Sequence, residues 1–528
     1  MSLQAVDRSE IPEQTAELGR KLLKEDNLYR LVGDRWEELL TDEDFMWMYS
    51  ATGGGAISPV ILAMVLVFQM MEKIPDRQAA EMIRVRIDWK YALHLPLEWI
   101  GFHFTNLSHF RRRLIENEAE YLVFDRLVQT LVEMGFIRQR GKQRTDSMSI
   151  LGLVAKLSRL ELGLETMRVV LKGIEQVDES WLKKNVPAVL LERYQNKKQT
   201  YKMTEKEIAT ELGQTGADGL WLLHQLKTGS PDIQKLEPVK VMEEIWGQQF
   251  EWDEAGSYQG PRTKLEGHGL IQSPHEPEVR YREKRDKGWQ GYVGQVSETA
   301  EEKGEVNFIT DIGVTDAQES DVRSLPKVQE RLVERDVPPE EQDVDQAYVS
   351  GTSLAESKEQ DIKLMGPIGP ETGPKELKLS DFKVELAEKK ATCPGGQTAA
   401  RWSQHRRPDG TLEYRFYFGA QCAGCHLRPE CTEAKAGRTI TYHEHHDQVE
   451  KRRAEMETKE FKAAMKRRAP VEGTISQVAR AGGRYARYRG LRKVNLQLVF
   501  TAVGINLRRL CAAWGRGHKP SWVATAGI

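Results

Sequence analysis

The sequence predicts a mixed α/β protein in which a helical amino-terminal part precedes an α/β core interrupted by inserts. Three observations support this fold class. Residues 1–140 place apolar side chains at helical spacing, residues 281–370 alternate strand and helix patterns, and residues 371–450 are rich in turns and cysteines. The chain has 528 residues, which is several times the ~150 residues of a typical domain, so a single compact domain is excluded.

Composition excludes disordered and membrane-embedded classes. Apolar residues make up 39% of the chain and charged residues 30%, the balance of a soluble globular protein. The longest apolar run, Val60 to Phe68, is nine residues, whereas a membrane-spanning helix needs ~20. Met1 to Asp7 lacks the basic and apolar regions of a signal peptide. We therefore expect a cytoplasmic protein that does not span a membrane.

The amino-terminal helices begin at recognisable caps. Ser58 and Pro59 precede the apolar segment Val60 to Met71, which predicts a buried helix. Asp76 is placed to cap a helix from 77 to 86, and Thr105 to cap the helix that follows.

The last of these helices carries Arg111, Arg112 and Arg113. Two short helices, the second one basic, are typical of a helix-turn-helix DNA reader. A plain helical bundle with arginines on its surface explains the same spacing, and the spacing alone does not separate the two.

Strand patterns begin at residue 142. Lys142 to Leu151 predicts a strand that carries a single acid, Asp146, and residues from 152 to about 250 then return to helical periodicity. Further predicted elements are strands at 292–299, 306–312, 342–348 and 362–365, and helices at 321–335 and 350–360. Asp345 lies on the predicted strand 342–348.

Charge is divided unevenly along a chain whose net charge is only -2. Residues 298–360 hold 17 acids against 6 bases, and residues 451–520 hold 18 bases against 4 acids. A basic carboxy-terminal segment is typical of nucleic-acid binding, and a solvated helix face is the alternative. Cations and tyrosines alternate there, and this pattern favours phosphate contact and stacking. The residues are Arg484, Tyr485, Arg487, Tyr488, Arg489, Arg492 and Lys493. A final helix is predicted at 493–514, with Asn506, Arg508 and Arg509 on its exposed face.

The cysteines indicate a metal site. Cys393, Cys422, Cys425 and Cys431 supply enough thiolates for one tetrahedral Zn²⁺ that would stabilise a small insert, and reduced structural cysteines are the alternative. The nearby histidines, which are substitute ligands, are His426, His443, His445 and His446. Cys511 lies on an apolar helix and predicts a buried thiol.

Three acids stand out by their sequence context: Asp146, Asp345 and Glu472. Carboxylates from separate elements can bind divalent cations that orient phosphates. With 79 acids in the chain, this choice is weak without further support.

That support comes from short sequence motifs spread along nearly the whole chain. They are Asp76-Arg77-Gln78-Ala79-Ala80, Ile87 to Leu93, Phe110 to Leu114, Gln143 to Ser147, Ser320-Asp321-Val322, Val344 to Val349, Cys422 to Cys425, Val471 to Ser476 and Arg484 to Leu491. In these motifs the chain resembles the DDE transposases of bacterial insertion sequences, in the large group with a helical amino-terminal domain and a cysteine-bearing insert.

The resemblance implies an RNase H-like catalytic core on which Asp146, Asp345 and Glu472 bind Mg²⁺ or Mn²⁺. It also implies that Arg468 and the basic segment after it contact phosphates. The implied division is a DNA-binding helical domain (1–140), a first catalytic strand (141–151), a helical insert (152–280), the core (281–370), a cysteine-bearing insert (371–450), and a late catalytic helix with a basic tail (451–528).

The implied function is metal-dependent cleavage at transposon ends followed by strand transfer. Its partners would be double-stranded DNA, at terminal inverted repeats and at the target, and further copies of the chain assembled on DNA near the bacterial nucleoid. A catalytically inactive, domesticated transposase that only binds DNA is the alternative, and a zinc-ribbon RNA-processing nuclease is a third.

The chain departs from the family pattern at four positions. Val293 and Gln295 replace a lysine and a histidine, Met148 replaces a threonine, and Met465 replaces a tyrosine. The first two replacements suggest a lost pair of DNA contacts.

Overall fold

The computed structural model describes residues 3, 10–35, 39–50, 52, 54–153, 157–196, 198–265, 269–284, 287–301, 304–407 and 410–517. Of the segment Met1 to Asp7, which lacks the pattern of a signal peptide, only Leu3 belongs to these residues.

The described residues before 142 form helices. They are α1 (Glu13–Leu22), α2 (Leu28–Asp34), a 3-10 helix (Asp42–Met48), α3 (Pro59–Glu72), α4 (Asp76–Val85), α5 (Ile87–Ala92), α6 (Thr105–Glu116) and α7 (Leu122–Glu133). The predicted buried helix is confirmed as α3. Ser58 caps it by accepting a hydrogen bond from the Ile61 amide, and Ser58 donates in turn to Asp42.

Two predicted caps are wrong. Asp76 and Thr105 are the first residues of α4 and α6, and the cap positions are Pro75 and Phe104. The Asp76 carboxylate does not turn back to its own helix, because it accepts hydrogen bonds from Gln69 and Arg111.

Strand β1 (Lys142–Leu151) follows, as predicted, and leads into a helical segment. The elements of that segment are α8 (Arg159–Asn185), α9 (Ala188–Gln195), a 3-10 turn (Thr200–Lys202), α10 (Glu205–Leu226), α11 (Pro231–Gln234), α12 (Glu237–Gln249), β2 (Phe250–Trp252) and β3 (Tyr258–Pro261). Their buried side chains, including Trp246 and Phe250, form a hydrophobic cluster of their own. The sequence pattern does not predict the hairpin of β2 and β3.

The largest sheet in the described part of the chain has six strands, and the strands that join β1 are β4 (Arg280–Lys284), β5 (Lys287–Thr299), β6 (Ile309–Asp316), β7 (Glu341–Asp343) and β8 (Lys363–Met365). Its order is β4-β5-β1-β7-β8, with β6 also paired to β5. Strand β5 runs antiparallel to β1 and to β6, while β7 and β8 run parallel to β1. Helices α13 (Asp321–Glu334) and α14 (Gly351–Glu359) complete this region, so the predicted mixed α/β class is confirmed.

The predicted strand 342–348 is wrong in its second half. Strand β7 ends at Asp343, and Gln346–Tyr348 is a 3-10 turn. Asp345 therefore follows the strand and caps the turn, because its Oδ1 accepts a hydrogen bond from the Ala347 amide at 2.9 Å.

The cysteine-bearing segment is built from short strands. Its elements are a 3-10 turn (Leu379–Asp381), β9 (Lys383–Glu385), β10 (Lys390–Thr392), β11 (Arg401–Arg406), β12 (Leu412–Tyr417), a 3-10 turn (Gly419–Cys422), α15 (Arg428–Cys431) and β13 (Thr439–His443). Phe382, Phe416, Phe418 and Ile440 form its apolar centre.

The carboxy-terminal helices return to the sheet. They are α16 (His446–Glu455), α17 (Lys459–Arg468), α18 (Val471–Val478), a π-helical segment (Ala479–Gly483) and α19 (Leu491–Gly515). The prediction that Asn506 is exposed is wrong, since its side chain is fully buried and its amide pairs with both backbone groups of Ile309 on β6.

Helix α19 is central to the packing of the protein. Its apolar residues join the amino-terminal helices and the sheet in one continuous hydrophobic cluster. It is also the helix of the described residues that is long and apolar enough to cross a membrane, but 83% of its most apolar window is buried inside the protein. The burial identifies it as a core helix.

Candidate active site

The strand register brings Asp146 and Asp345 to equivalent positions. In the parallel pair of β1 and β7, Arg144 is the partner of Asp343. Asp146 and Asp345 each come two residues later, where β7 has ended and the chain turns away. The two carboxylates are therefore close enough to interact at the end of β7, next to the strands that α17 and α18 contact.

Asp146 has two direct partners. The Ser147 amide donates to its Oδ1 at 2.8 Å, and Arg468 donates to its Oδ2 at 2.9 Å. Burial raises the pKa of Asp146 above its ordinary value, and the carboxylates of Asp345 and Asp321 raise it further, against the two hydrogen bonds. Negative charge is thus in excess around Asp146, and a bound cation would stabilise this arrangement.

Glu472 is the second residue of α18, and its side chain is exposed. The helix is held to the sheet by its neighbours Val471 and Thr474, which are buried. Within the residues that the structure describes, no cluster of three or more His, Cys, Asp or Glu side chains has a geometry that could hold a metal ion. The structure therefore brings two of the three predicted acids together and leaves Glu472 on the open side of its helix.

Sequence reasoning missed the residue that anchors α18, which is Glu298 on β5. Its carboxylate is 1% exposed and accepts hydrogen bonds from Arg144, Thr474 and Arg509. Glu472 lies in a recognisable sequence motif, but Glu298 does not. Its role depends on partners that lie 154, 176 and 211 residues away in the chain, so the local sequence does not indicate it.

Arg468 is positioned through its neighbour Arg467. Arg467 donates to Asp343 at 2.8 and 3.0 Å and also to Glu341, and the Arg144 side chain donates to the Arg467 carbonyl at 2.9 Å. These contacts fix the end of α17 on β7 and β1, so that Arg468 faces Asp146.

The positions that depart from the family pattern are largely internal. Val293, Gln295 and Met148 are buried, with 3%, 1% and 4% exposure, and Met465 is half-buried. Gln295 donates to Asp321 and accepts from Tyr348. In this chain the side chains of Val293 and Gln295 thus face the interior and not a DNA surface.

The predicted DNA-binding arginines of α6 differ in exposure. Arg111 is 11% exposed, pairs with Asp76 at 2.5 Å and stacks on Tyr488. Arg113 donates to the Met48 carbonyl and stacks on Tyr49. Arg112 is 65% exposed, with Glu116 3.9 Å away. Of these three arginines, Arg112 alone has its side chain largely in solvent.

The basic tail shows the same division. Arg487 donates to the Ile74 carbonyl, Arg492 to Glu120 and the Ile115 carbonyl, and Arg484 to the Ser149 carbonyl. Arg489 and Lys493 are exposed, as are Arg484 and Arg492, whereas Arg487 is half-buried. Arg489 also lines a cavity of about 300 Å³ against the helical segment, with Arg168, Arg193 and Lys198 among its other basic residues.

The four clustered cysteines surround one small cavity. Its lining includes Cys393, Cys422, Cys425 and Cys431. The Gln397 amide donates to the Cys393 sulfur at 3.3 Å, and the Arg438 amide to the Cys422 sulfur at 3.4 Å. Burial raises the pKa of Cys431, and the three other thiols raise it further.

Other sulfur and imidazole groups lie elsewhere. His426, His443, His445 and His446 do not line the cysteine cavity in the described part of the chain. Cys511 is 3% exposed, as predicted, and burial raises the pKa of its thiol to about 12.

Comparison with known families gives two matches. Residues 392–511 match a transposase DDE domain, and residues 17–113 match a transposase domain (DUF772). The first match includes Glu472, Arg468 and the four clustered cysteines, and the second includes Arg111 to Arg113. A DDE domain implies an RNase H-like core and, in general, the use of divalent metal ions. No curated protein and no solved structure matches the chain significantly.

Proposed function

We propose that this chain, a DDE transposase of an insertion sequence by its two transposase-domain matches, cleaves DNA at transposon ends and transfers the freed 3′ end to target DNA. The observation that carries the proposal is the meeting of Asp146 and Asp345 at the end of β7, with Arg468 beside them.

The donor set suits Mg²⁺ or Mn²⁺, because hard divalent cations prefer carboxylate oxygens. Asp146 and Asp345 would hold the ion, and Glu472 would join them from α18. Bound there, such an ion supplies Lewis-acid activation of a phosphodiester. Burial, and to a smaller extent the nearby carboxylates of Asp345 and Asp321, raises the pKa of Asp146, and a bound cation would offset both effects.

The chain's own residues then have separate tasks. The Ser147 amide fixes the orientation of Asp146, and the Ala347 amide fixes that of Asp345. Arg468 would hold a non-bridging oxygen of the scissile phosphate once Asp146 is neutralised. In the first step water adds to phosphorus and the 3′ oxygen leaves as a hydroxyl; in the second, that hydroxyl attacks a target phosphodiester and a second 3′ oxygen leaves.

DNA binding would use the cations that reach solvent. Arg112, Arg484, Arg489 and Lys493 are exposed and available to phosphates. Arg111, Arg113, Arg487 and Arg492 hold the helices that present them, and 50% of the Arg492 side chain is exposed as well. This division keeps the expected DNA-binding residues but separates contact from support. Assembly of several copies on DNA, in the bacterial cytoplasm, is part of the same proposal.

A structural Zn²⁺ in the cysteine cavity is the second cofactor that we propose. The four cysteines line one small cavity, and the sulfurs of Cys393 and Cys422 accept backbone hydrogen bonds, which is how thiolate ligands are commonly oriented. The ion would stabilise a segment whose apolar centre is small.

Incubation of the protein with a DNA library and Mg²⁺, followed by mapping of new 3′-hydroxyl ends, tests the function. Ends at one repeated sequence, followed by joined products, would support it. Binding to one sequence without any cleavage would instead identify the DNA-binding alternative.

A further inference from the structure

We infer that Asp321, Gln295 and Tyr348 form a positioning network that holds the turn carrying Asp345 against strand β1. The inference rests on the proposed function, because it assigns the network to the metal-binding aspartates. None of the three residues is among those that the sequence assigns to catalysis.

The three side chains are linked by hydrogen bonds inside the protein. Gln295 Nε2 donates to Asp321 Oδ1 at 3.1 Å, and the Tyr348 hydroxyl donates to Gln295 Oε1. Asp321, Gln295 and Tyr348 are 3%, 1% and 0% exposed. Water therefore does not compete for these bonds, and each one has a fixed geometry.

The carboxylate sets the direction of the whole network. Asp321 Oδ1 accepts from the NH₂ group of Gln295, so this group faces the carboxyl. The amide oxygen of Gln295 then faces Tyr348, whose hydroxyl donates to it. One buried carboxyl group thereby selects a single arrangement of three side chains.

The network links the strand that pairs with β1 to the turn that carries Asp345. Gln295 is the register partner of Ser147, the residue after Asp146 on β1. Tyr348 closes the 3-10 turn that Asp345 caps, and its carbonyl accepts a further hydrogen bond from Ser353 at 2.9 Å. The network therefore connects β5, beside the part of β1 that carries Asp146, to the turn that carries Asp345.

Burial of this network needs a reason beyond stability. Apolar side chains of the same shape would fill the space without the cost of desolvating a charge. Positioning of metal ligands is a role that apolar side chains do not supply, because groups behind the ligands orient them through hydrogen bonds.

The test compares variants of two buried tyrosines, Tyr348 in the 3-10 turn and Tyr292 on β5. Tyr348→Phe removes the hydroxyl that meets Gln295, and Tyr292→Phe removes a buried hydroxyl that donates to Glu276. Mn²⁺ binding to the free protein is measured by electron paramagnetic resonance, and Mg²⁺ is titrated in the cleavage assay. We expect Tyr348→Phe to weaken Mn²⁺ binding by about 10-fold to 100-fold and to raise the Mg²⁺ requirement likewise. Tyr292→Phe should leave both unchanged.

A second pair covers the case in which Tyr348→Phe does not fold. Gln295→His keeps one donor and one acceptor and should retain Mn²⁺ binding, whereas Gln295→Leu should lose it. Equal Mn²⁺ binding by wild type and Tyr348→Phe, or by the two Gln295 variants, would overturn the network. Absence of Mn²⁺ binding in the wild type would do the same. Mn²⁺ binding that follows the expected pattern in a protein that cleaves no DNA would overturn the proposed function and leave the network standing.

Discussion

Arg468 has two tasks at the residue scale. In the structure it neutralises part of the charge of Asp146, and with substrate present the same guanidinium would contact a phosphate. Both tasks need a cation that stays in place, and the anchoring of Arg467 on Asp343 and Glu341 provides this.

We expect Arg468→Ala to slow strand cleavage by about 100-fold, because one charge-assisted contact to the reacting group is lost. Lys462→Ala is the matched control, since Lys462 lies on the same helix with its side chain 60% exposed. Cleavage rates at saturating Mg²⁺ measure the effect. A wild-type rate for Arg468→Ala would show that this guanidinium does not act in the reaction.

The residues of the site differ in how far the sequence predicts them. Recognisable sequence motifs contain Asp146, Asp345 and Glu472, so the amino-acid sequence is enough to select these three acids. Glu298 lies in no such motif: it is one of 79 acids, and its role depends on partners far away in the chain. Only the three-dimensional packing distinguishes a buried acid that has hydrogen-bond partners, such as Glu298, from an acid on the surface.

At the scale of elements, helices are predicted best. Ser58 and Pro59 locate α3, and helical periodicity locates α13 and α19. The predictions fail where a polar side chain competes with regular structure. Asp345 ends β7 by capping a turn, and Asn506 enters the core because it satisfies the backbone of Ile309.

The ion pairs of Glu165 on α8 predict that the stability of the fold depends on pH. Arg168 lowers the pKa of Glu165 to about 2, and His275, from the segment before β4, lowers it as well. A depressed pKa means that this carboxylate stabilises the fold above its ordinary pKa of 4.5 and that the contribution is lost as the pH falls towards 2. Glu165→Gln should therefore cost about 1 kcal/mol at pH 6 and roughly half of that at pH 3, because the folded-state carboxylate is still largely ionised at pH 3.

Urea unfolding at the two pH values measures this difference, with Glu179→Gln on the exposed part of α8 as the control. An equal loss of unfolding free energy at pH 6 and pH 3 would show that the charge of Glu165 is not what holds the helix.

The cysteine-bearing segment makes a prediction about metal removal. Purified protein should contain about one Zn²⁺ per chain, and Cys425→Ser should lose most of it, because a tetrahedral site needs all four ligands. Chelation should then lower the melting temperature of the wild type but not that of Cys425→Ser. Ala423→Ser, in the same exposed turn, is the control. Metal-free wild-type protein of undiminished stability would contradict the site.

At the scale of the whole molecule, the amino-terminal helices and the core are one packed body. The hydrophobic cluster runs from α3 through the sheet to α19, and Arg335 joins Asp125 on α7 to Asp311 on β6. The predicted boundary at residue 140 thus follows a change of secondary structure but not a break in packing. The sequence predicts such a boundary from a local change in pattern. It does not predict a shared core, because the core depends on contacts between segments that are distant in the chain.

The division of the arginines predicts the salt dependence of DNA binding. Each phosphate contact contributes ~0.9 to the slope of log affinity against log salt, so the double variant Arg489→Ala, Lys493→Ala should lower that slope by roughly two units. Lys183→Ala, on an exposed part of α8, should not change it. Titrations between low and physiological salt measure the slope. An unchanged slope in the double variant would place the DNA elsewhere on the molecule.

The most direct test of the active site compares four acid-to-amide variants. Asp146→Asn, Asp345→Asn and Glu472→Gln should each abolish Mg²⁺-dependent strand cleavage while DNA-end binding stays within about threefold of wild type, because the metal-binding charge is lost without loss of fold. Asp361→Asn is the control, since Asp361 is 94% exposed and pairs with the surface residue Arg140. Cleavage at the wild-type rate by Asp146→Asn or Asp345→Asn would contradict the account.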